Sequence, residues 1–159
     1  FDYVRHGTIN LLASLTVYSG HMWAECLDKN DGEHFRPALR RLLHPYSWAS
    51  RIHLIMDNGA SHISGDTSGF LGDLAPRVHV LLTPSNASWL NQAEALLEAF
   101  SERYLIRGSW CSRPTMVRHI LASAQDYNEH FAHPFDWQWS CRAFSYWLNN
   151  TPGLIRCKT

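Results

Sequence analysis

IHLIMDNGASH, residues 52–62, decides how this chain is read. Its first five residues are an aliphatic run interrupted by one histidine, the pattern of a strand that is at least half buried. Alternation puts Ile52, Leu54 and Met56 on one face, and His53, Ile55 and Asp57 on the other. Asp57 therefore emerges at the carboxyl end of a strand, where open α/β sheets place their ligands. Asn58-Gly59 supplies a bend, so Asp57 also has a plainer reading as the cap of that turn. What shifts the balance is a second acid, on a helix just after the next strand.

Working outward, INLLASLTVY (9–18), Ser19-Gly20 and HMWAECL (21–27) read as two strands joined by a tight turn. EHFRPALRRLL (33–43) places Phe35, Leu39, Leu42 and Leu43 at helical spacing, with Pro37 early enough to be tolerated. Downstream of residue 58 the chain is Ser/Gly-rich and reads as a loop through GDTSG (65–69), with FLGDL as a short helical piece before Pro76. VHVLL (78–82) suits an interior parallel strand. The longest helical pattern is WLNQAEALLEAFSERYLIRG (89–108), with Leu90, Ala93, Leu97, Phe100 and Tyr104 as its buried stripe and Ser88 as its N-cap. A further helix is expected from Ser112 to Asn128, with Pro114 in its first turn. The aromatic tail, containing FDWQW and FSYWL, is expected to cover the sheet. This order of elements argues for an α/β fold, helices packed on a mixed sheet, as one domain over residues 1–159. No repeat or long linker divides the chain.

Composition narrows the function. Hydrophobic residues make up 45% and charged residues 18%, which fits a folded globular chain. Formal net charge is zero, so nucleic-acid binding is permitted but not demanded, with RPALRR (36–41) as a local basic patch. The four cysteines match no zinc spacing. There is no 18-residue apolar run and no signal peptide, so no membrane association is expected, and a cytoplasmic protein or a fragment of one is the default.

Glu94 stands beside the Ala93 and Leu97 stripe, at the boundary of the face that packs on the sheet. An acid there carries a desolvation cost unless it meets a cation or a metal. Glu98 lies one turn further on the same flank as an alternative ligand, and Glu102 reads as surface charge. A strand-end Asp and a helix Glu converging on one point suit Mg²⁺ or Mn²⁺, which take oxygen ligands. Two such ions activate water on one side of a phosphodiester and stabilise the leaving oxygen on the other.

FDYVRHGTINLLASL (1–15), HLIMDNGASH (53–62), VHVLLTPSNASWLNQAEALLEAF (78–100) and YNEHFAHPFDW (127–137) resemble the catalytic domain of the DDE-superfamily endonucleases. More closely, they resemble transposases of bacterial insertion sequences related to the mariner elements, and TPSNASWLNQAE is the most specific part. The resemblance implies an RNase H-like fold and a triad of two Asp and one Glu that binds two Mg²⁺. Asp57 resembles the second Asp and Glu94 the Glu, with 36 residues between them. It also implies double-stranded DNA as partner, cleavage followed by strand transfer, and a homodimer. Asn58 and His62 follow the second Asp as candidates to orient it or a phosphate. Arg5, His6, Asn86 and Trp89 are candidates for DNA contact, each with a structural role as the alternative.

One departure stands out. In the family the first Asp lies on a strand before the segment that begins here with FDYVRHG, and neither Asp2 nor Asp28 is a convincing replacement. That strand is central in an RNase H-like sheet, so its loss would expose backbone groups on both neighbours. The chain thus resembles an N-terminally truncated transposase catalytic domain. The alternative to an enzyme is an inactive remnant that at most binds DNA or a partner subunit.

Overall fold

The structure, a computed structural model, describes residues 7–84 and 91–134. Arg5, His6, Asn86, Trp89, Ser88 and the aromatic tail lie outside the described residues. Two short sheets organise the rest. β1 (Asn10–Thr16) and β2 (His21–Leu27) form an antiparallel hairpin in which Asn10 faces Leu27 and Thr16 faces His21. β3 (Ile52–Met56) and β4 (Val78–Leu82) pair in parallel, Ile52 beside Val78 and Met56 beside Leu82. The expected antiparallel and parallel parts are both present, and the architecture is mixed α/β. Among the described residues, however, no backbone bond joins β1 to β3, so the strands form two separate pairs.

The hairpin turn depends on Gly20. Its φ is +73°, and a Cβ there would sit 2.0 Å from the carbonyl oxygen of His133, so both conformation and clearance require glycine. β2 is also held from its outer side. Asn128 accepts from the Met22 N–H at 2.8 Å and donates to the Met22 carbonyl at 2.7 Å, an amide side chain standing in for a ladder neighbour.

α1 (Gly32–Leu43) starts where Asp31 accepts from the His34 N–H at 3.0 Å, and its stripe of Phe35, Leu39, Leu42 and Leu43 is buried as its spacing predicts. A 3₁₀ turn at His44–Tyr46 follows. α2 (Ala60–Ile63) and α3 (Gly65–Leu74) replace the loop expected over GDTSG. Thr67 and Phe70 are buried, and this anchoring overrides the low helix propensity of Gly65, Gly69 and Gly72.

α4 (Gln92–Tyr104) is shorter than its sequence pattern suggests, and α5 (Arg113–His130) is the longer helix. The cap explains the later start of α4: Asn91 occupies the N-cap and accepts from the Ala93 N–H at 3.2 Å, where Ser88 was expected in that role. Ser112 caps α5, with Pro114 in its first turn, as the sequence predicts.

Two apolar clusters result. α1, α3 and one face of β3 and β4 enclose Leu39, Met56, Phe70 and Val78. α4 and α5 cover the face of the hairpin that carries Leu11, Ala13, Leu15, Met22 and Ala24, around Phe100. β4 is parallel as expected but does not behave as an interior strand. Leu81, on the face opposite Val78 and Val80, is 52% exposed because the described helices cover only the other face, and Leu82, the last residue of the strand, is 48% exposed. No helix among the described residues is long and apolar enough to cross a membrane.

α4 and α5 are tied by the Tyr104 hydroxyl, which donates to Asp126 at 2.6 Å. Removal from water, then that bond and the carboxylate charge, push the phenol up to about 12 from its usual 10.0. The folded state therefore favours the protonated phenol, so its contribution is present below about pH 10 and is lost as pH rises through about 12. Tyr104→Phe is expected to lower stability by about 1 kcal/mol at neutral pH. The variant should also lose less stability than the parent between pH 10 and 12, as read from urea midpoints across that range.

Candidate active site

Asp57 follows β3 directly, and Gly59 N–H donates to its Oδ1 at 2.9 Å. His62, carried on α2, places Nδ1 2.7 Å from the same oxygen. An ionised carboxylate only accepts, so Nδ1 carries the proton in this pair. The His62 ring packs on Phe35 at 4.5 Å between centroids, which fixes it beside the acid. The Asp57 side chain is 38% exposed against 18% for His62, so the acid faces solvent while its partner is set back. Oδ1 is thus committed to two donors, and Oδ2 has no bond among the described residues.

Glu94 sits in the first turn of α4, where the helix dipole favours an anion. Its carboxylate makes no hydrogen bond or ion pair among the described residues. Asp57, His62, Glu94, Asn91 and Asn30 line one cavity of about 400 Å³. β3 supplies the acid at its end, α2 the imidazole, and the start of α4 the second acid. A second cavity of about 400 Å³ adjoins it along β1 and β3 and shares Asp57, His62 and Asn91.

The other candidates lie elsewhere. Asn58 donates to the Thr83 carbonyl at 2.5 Å, tying the end of β3 to the end of β4, and lines neither cavity. Glu98 and Glu102 are exposed and also line neither. Asp28 is 2.5 Å from Arg113 at the start of α5. Sequence reasoning missed Asn30 as a lining residue, and no local pattern marks it. Asn91 had a signal, since it stands three residues before Glu94 at the start of the helix. Phe35 was read as core only, and its ring also backs His62.

The carboxylates of Asp57 and Glu94 offer the hard oxygen donors that Mg²⁺ or Mn²⁺ takes. Among the described residues no group of three His, Cys, Asp or Glu converges for a metal. The pair fits part of a metal site.

Comparison with known proteins bears on this arrangement. The sequence pattern of a family described as DDE superfamily endonuclease matches residues 1–116. No curated protein matches the chain. Among solved structures, the catalytic core domain of BIV integrase is similar at a TM-score of 0.56 and 12% identity, over 93% of this chain and 91% of that one. A chain of the simian T-cell lymphotropic virus intasome in complex with PP2A regulatory subunit B56 gamma is similar at a TM-score of 0.52 and 16% identity, over 95% of this chain and 51% of that one. At these identities the likeness concerns the fold, the RNase H-like arrangement of integrase cores, and the family match covers Asp57 and Glu94. The chain belongs to the DDE superfamily endonucleases.

Proposed function

We propose that this chain is catalytic-domain material of a transposase of a bacterial insertion sequence related to the mariner elements. In that reading Asp57 and Glu94 are two of the acids that hold two Mg²⁺ or Mn²⁺ ions. The observation that carries it is the meeting of the two acids on one cavity, one held at a strand end by His62 and Gly59, the other in the first turn of a helix. Bound ions supply the activation of water and the stabilisation of the leaving 3′ oxygen. The chain's own part is orientation. His62 and Gly59 hold Oδ1, which leaves Oδ2 of Asp57 as the oxygen for a metal ion. Double-stranded DNA, first at element ends and then at a target, is the substrate, and paired subunits serve the two ends. A cytoplasmic location follows from the same reading.

A second reading, an inactive remnant that binds DNA or a partner subunit, has one observation in its favour. No third acid joins Asp57 and Glu94 among the described residues. The deciding experiment is nicking of end-labelled duplex DNA by folded chain in Mg²⁺, in Mn²⁺ and in EDTA. Nicking in both metals and none in EDTA is the result that the first reading expects, and it requires a third ligand beside Asp57 and Glu94. No nicking from protein with a cooperative unfolding transition would assign the chain to the remnant.

A further inference from the structure

The polar side chains that line the cavity shared by Asp57 and Glu94 are those two acids, His62, Asn10, Asn30 and Asn91. Among the described residues of that lining there is no lysine or arginine. A cationic side chain here would pair with an acid and take the place of a metal ion. A carboxamide does not neutralise an acid, so it can offer N–H groups to an anion while both carboxylates stay available.

Each amide has a defined direction. A backbone N–H only donates, so the Asn91 atom that meets the Ala93 N–H at 3.2 Å is the oxygen. Nδ2 of Asn91 is left over, with no bond among the described residues. Asn30 accepts through Oδ1 from the Ser61 hydroxyl at 3.0 Å, and its Nδ2 likewise makes no bond among the described residues. Asn10 differs, because its Nδ2 donates to the Asp28 carbonyl at 3.3 Å. His62 is also committed, since its Nδ1 proton goes to Asp57. The uncommitted side-chain amides of the cavity are therefore two, one at the junction of β2 and α1 and one at the start of α4.

The direction of Asn30 has support beneath it. Ser61 and His62 are consecutive on α2, and the first addresses Asn30 while the second addresses Asp57. Ser61 is buried, and its carbonyl accepts from the hydroxyl of Thr67 at 3.0 Å, a side chain with no exposed surface. One short helix thus sets both an amide donor and a metal acid. A phosphodiester entering the cavity brings a negative charge toward two carboxylates. N–H groups aimed at its oxygens make charge-assisted bonds that offset part of that repulsion.

We propose that Asn30 and Asn91 are phosphate-binding residues, whose Nδ2 groups donate to backbone phosphate oxygens of the DNA strand brought to Asp57 and Glu94. The proposal rests on the cleavage reading above and assigns the groups that hold the DNA backbone, as distinct from those that hold metal. Contacts to phosphate carry no base preference, so the two amides set the register of the strand and not its sequence.

The test uses the full chain, isotopically labelled, and a short DNA duplex in Mg²⁺. Saturable binding is expected, with the side-chain amide resonances of Asn30 and Asn91 moving along it. Asn58, which donates to Thr83 and lines neither cavity, should keep its resonances in place. Asn91→Ser keeps a good N-cap and removes the amide, and Asn30→Ala removes an exposed side chain with its one bond to Ser61. Each variant should raise the Kd for the duplex by about tenfold, with a urea midpoint close to the parent's. A capping role alone predicts no change in Kd for Asn91→Ser. Parental Kd in either variant overturns the proposal and leaves the cleavage reading standing. Asn30 and Asn91 resonances that stay still in a saturated parental complex overturn it as well, whatever the variants do to the midpoint. A parental chain that binds no duplex removes the cleavage reading and this inference together. Shifts produced by inorganic phosphate and not by duplex would make the pair a free-anion site, which also counts against the proposal.

Discussion

Phe100→Ala is expected to destabilise the chain by about 3–5 kcal/mol, the range for truncating a fully buried aromatic residue. Phe100 is 1% exposed, is among the largest fully buried side chains, and packs with Met22, Leu96 and Ala124. Its ring also meets Tyr104 at 5.0 Å, tilted by 43°. The residue therefore joins α4 to both the hairpin and α5. Removing it leaves a void whose lining comes from three elements, none of which can close it alone. Domains of this size are stable by only about 5–15 kcal/mol, so the loss is a large fraction of the whole. Urea denaturation should show a lower midpoint, and Phe100→Leu, which retains most of the volume, should cost less than half as much. Equal midpoints for Phe100→Ala and the parent would mean that α4 is not held by this cluster.

The parts of the fold that were legible in the sequence are those where local pattern and packing agree. The hairpin, α1 and β3 each have a period that matches the face they bury, and Ile52, Leu54 and Met56 turn toward the α1 core as alternation predicts. GDTSG was misread because glycine and serine lower helix propensity, while the burial of Thr67 and Phe70 that overrides it is a tertiary fact. The start of α4 was misplaced because Ser88 and Asn91 are both good caps, and propensity alone does not choose between them. The division of the strands was legible only through resemblance, since pairing partners are not written in a single strand's pattern. At the site, Asp57 and Glu94 were visible as acids at element ends. The contact of His62 with Phe35 was not, because residues 27 apart in sequence meet there through the placement of α2 on α1.

Asp57→Asn is expected to lower metal-dependent nicking by about 10³-fold, equivalent to about 4 kcal/mol of transition-state stabilisation, while leaving the fold in place. The substitution keeps an oxygen at the Oδ1 position. Gly59 N–H and the protonated Nδ1 of His62 can still donate to it, so the geometry at 2.9 and 2.7 Å is retained. What is lost is the negative charge and a full carboxylate donor at Oδ2, which a hard divalent ion requires. Glu94→Gln should behave alike, since its carboxylate has no partner among the described residues whose loss would unfold α4. The two variants together should cost little more than either alone, because acids that serve one site act as a unit. Nicking rates in Mg²⁺ and Mn²⁺, with urea midpoints measured on the same preparations, separate chemistry from stability. Variants that fold like the parent and nick at the parental rate would remove both acids from the chemistry. Loss of nicking at unchanged midpoints would make orientation by His62 the next term to measure, and His62→Gln is then expected to cost less than Asp57→Asn, because it releases Oδ1 without removing the charge.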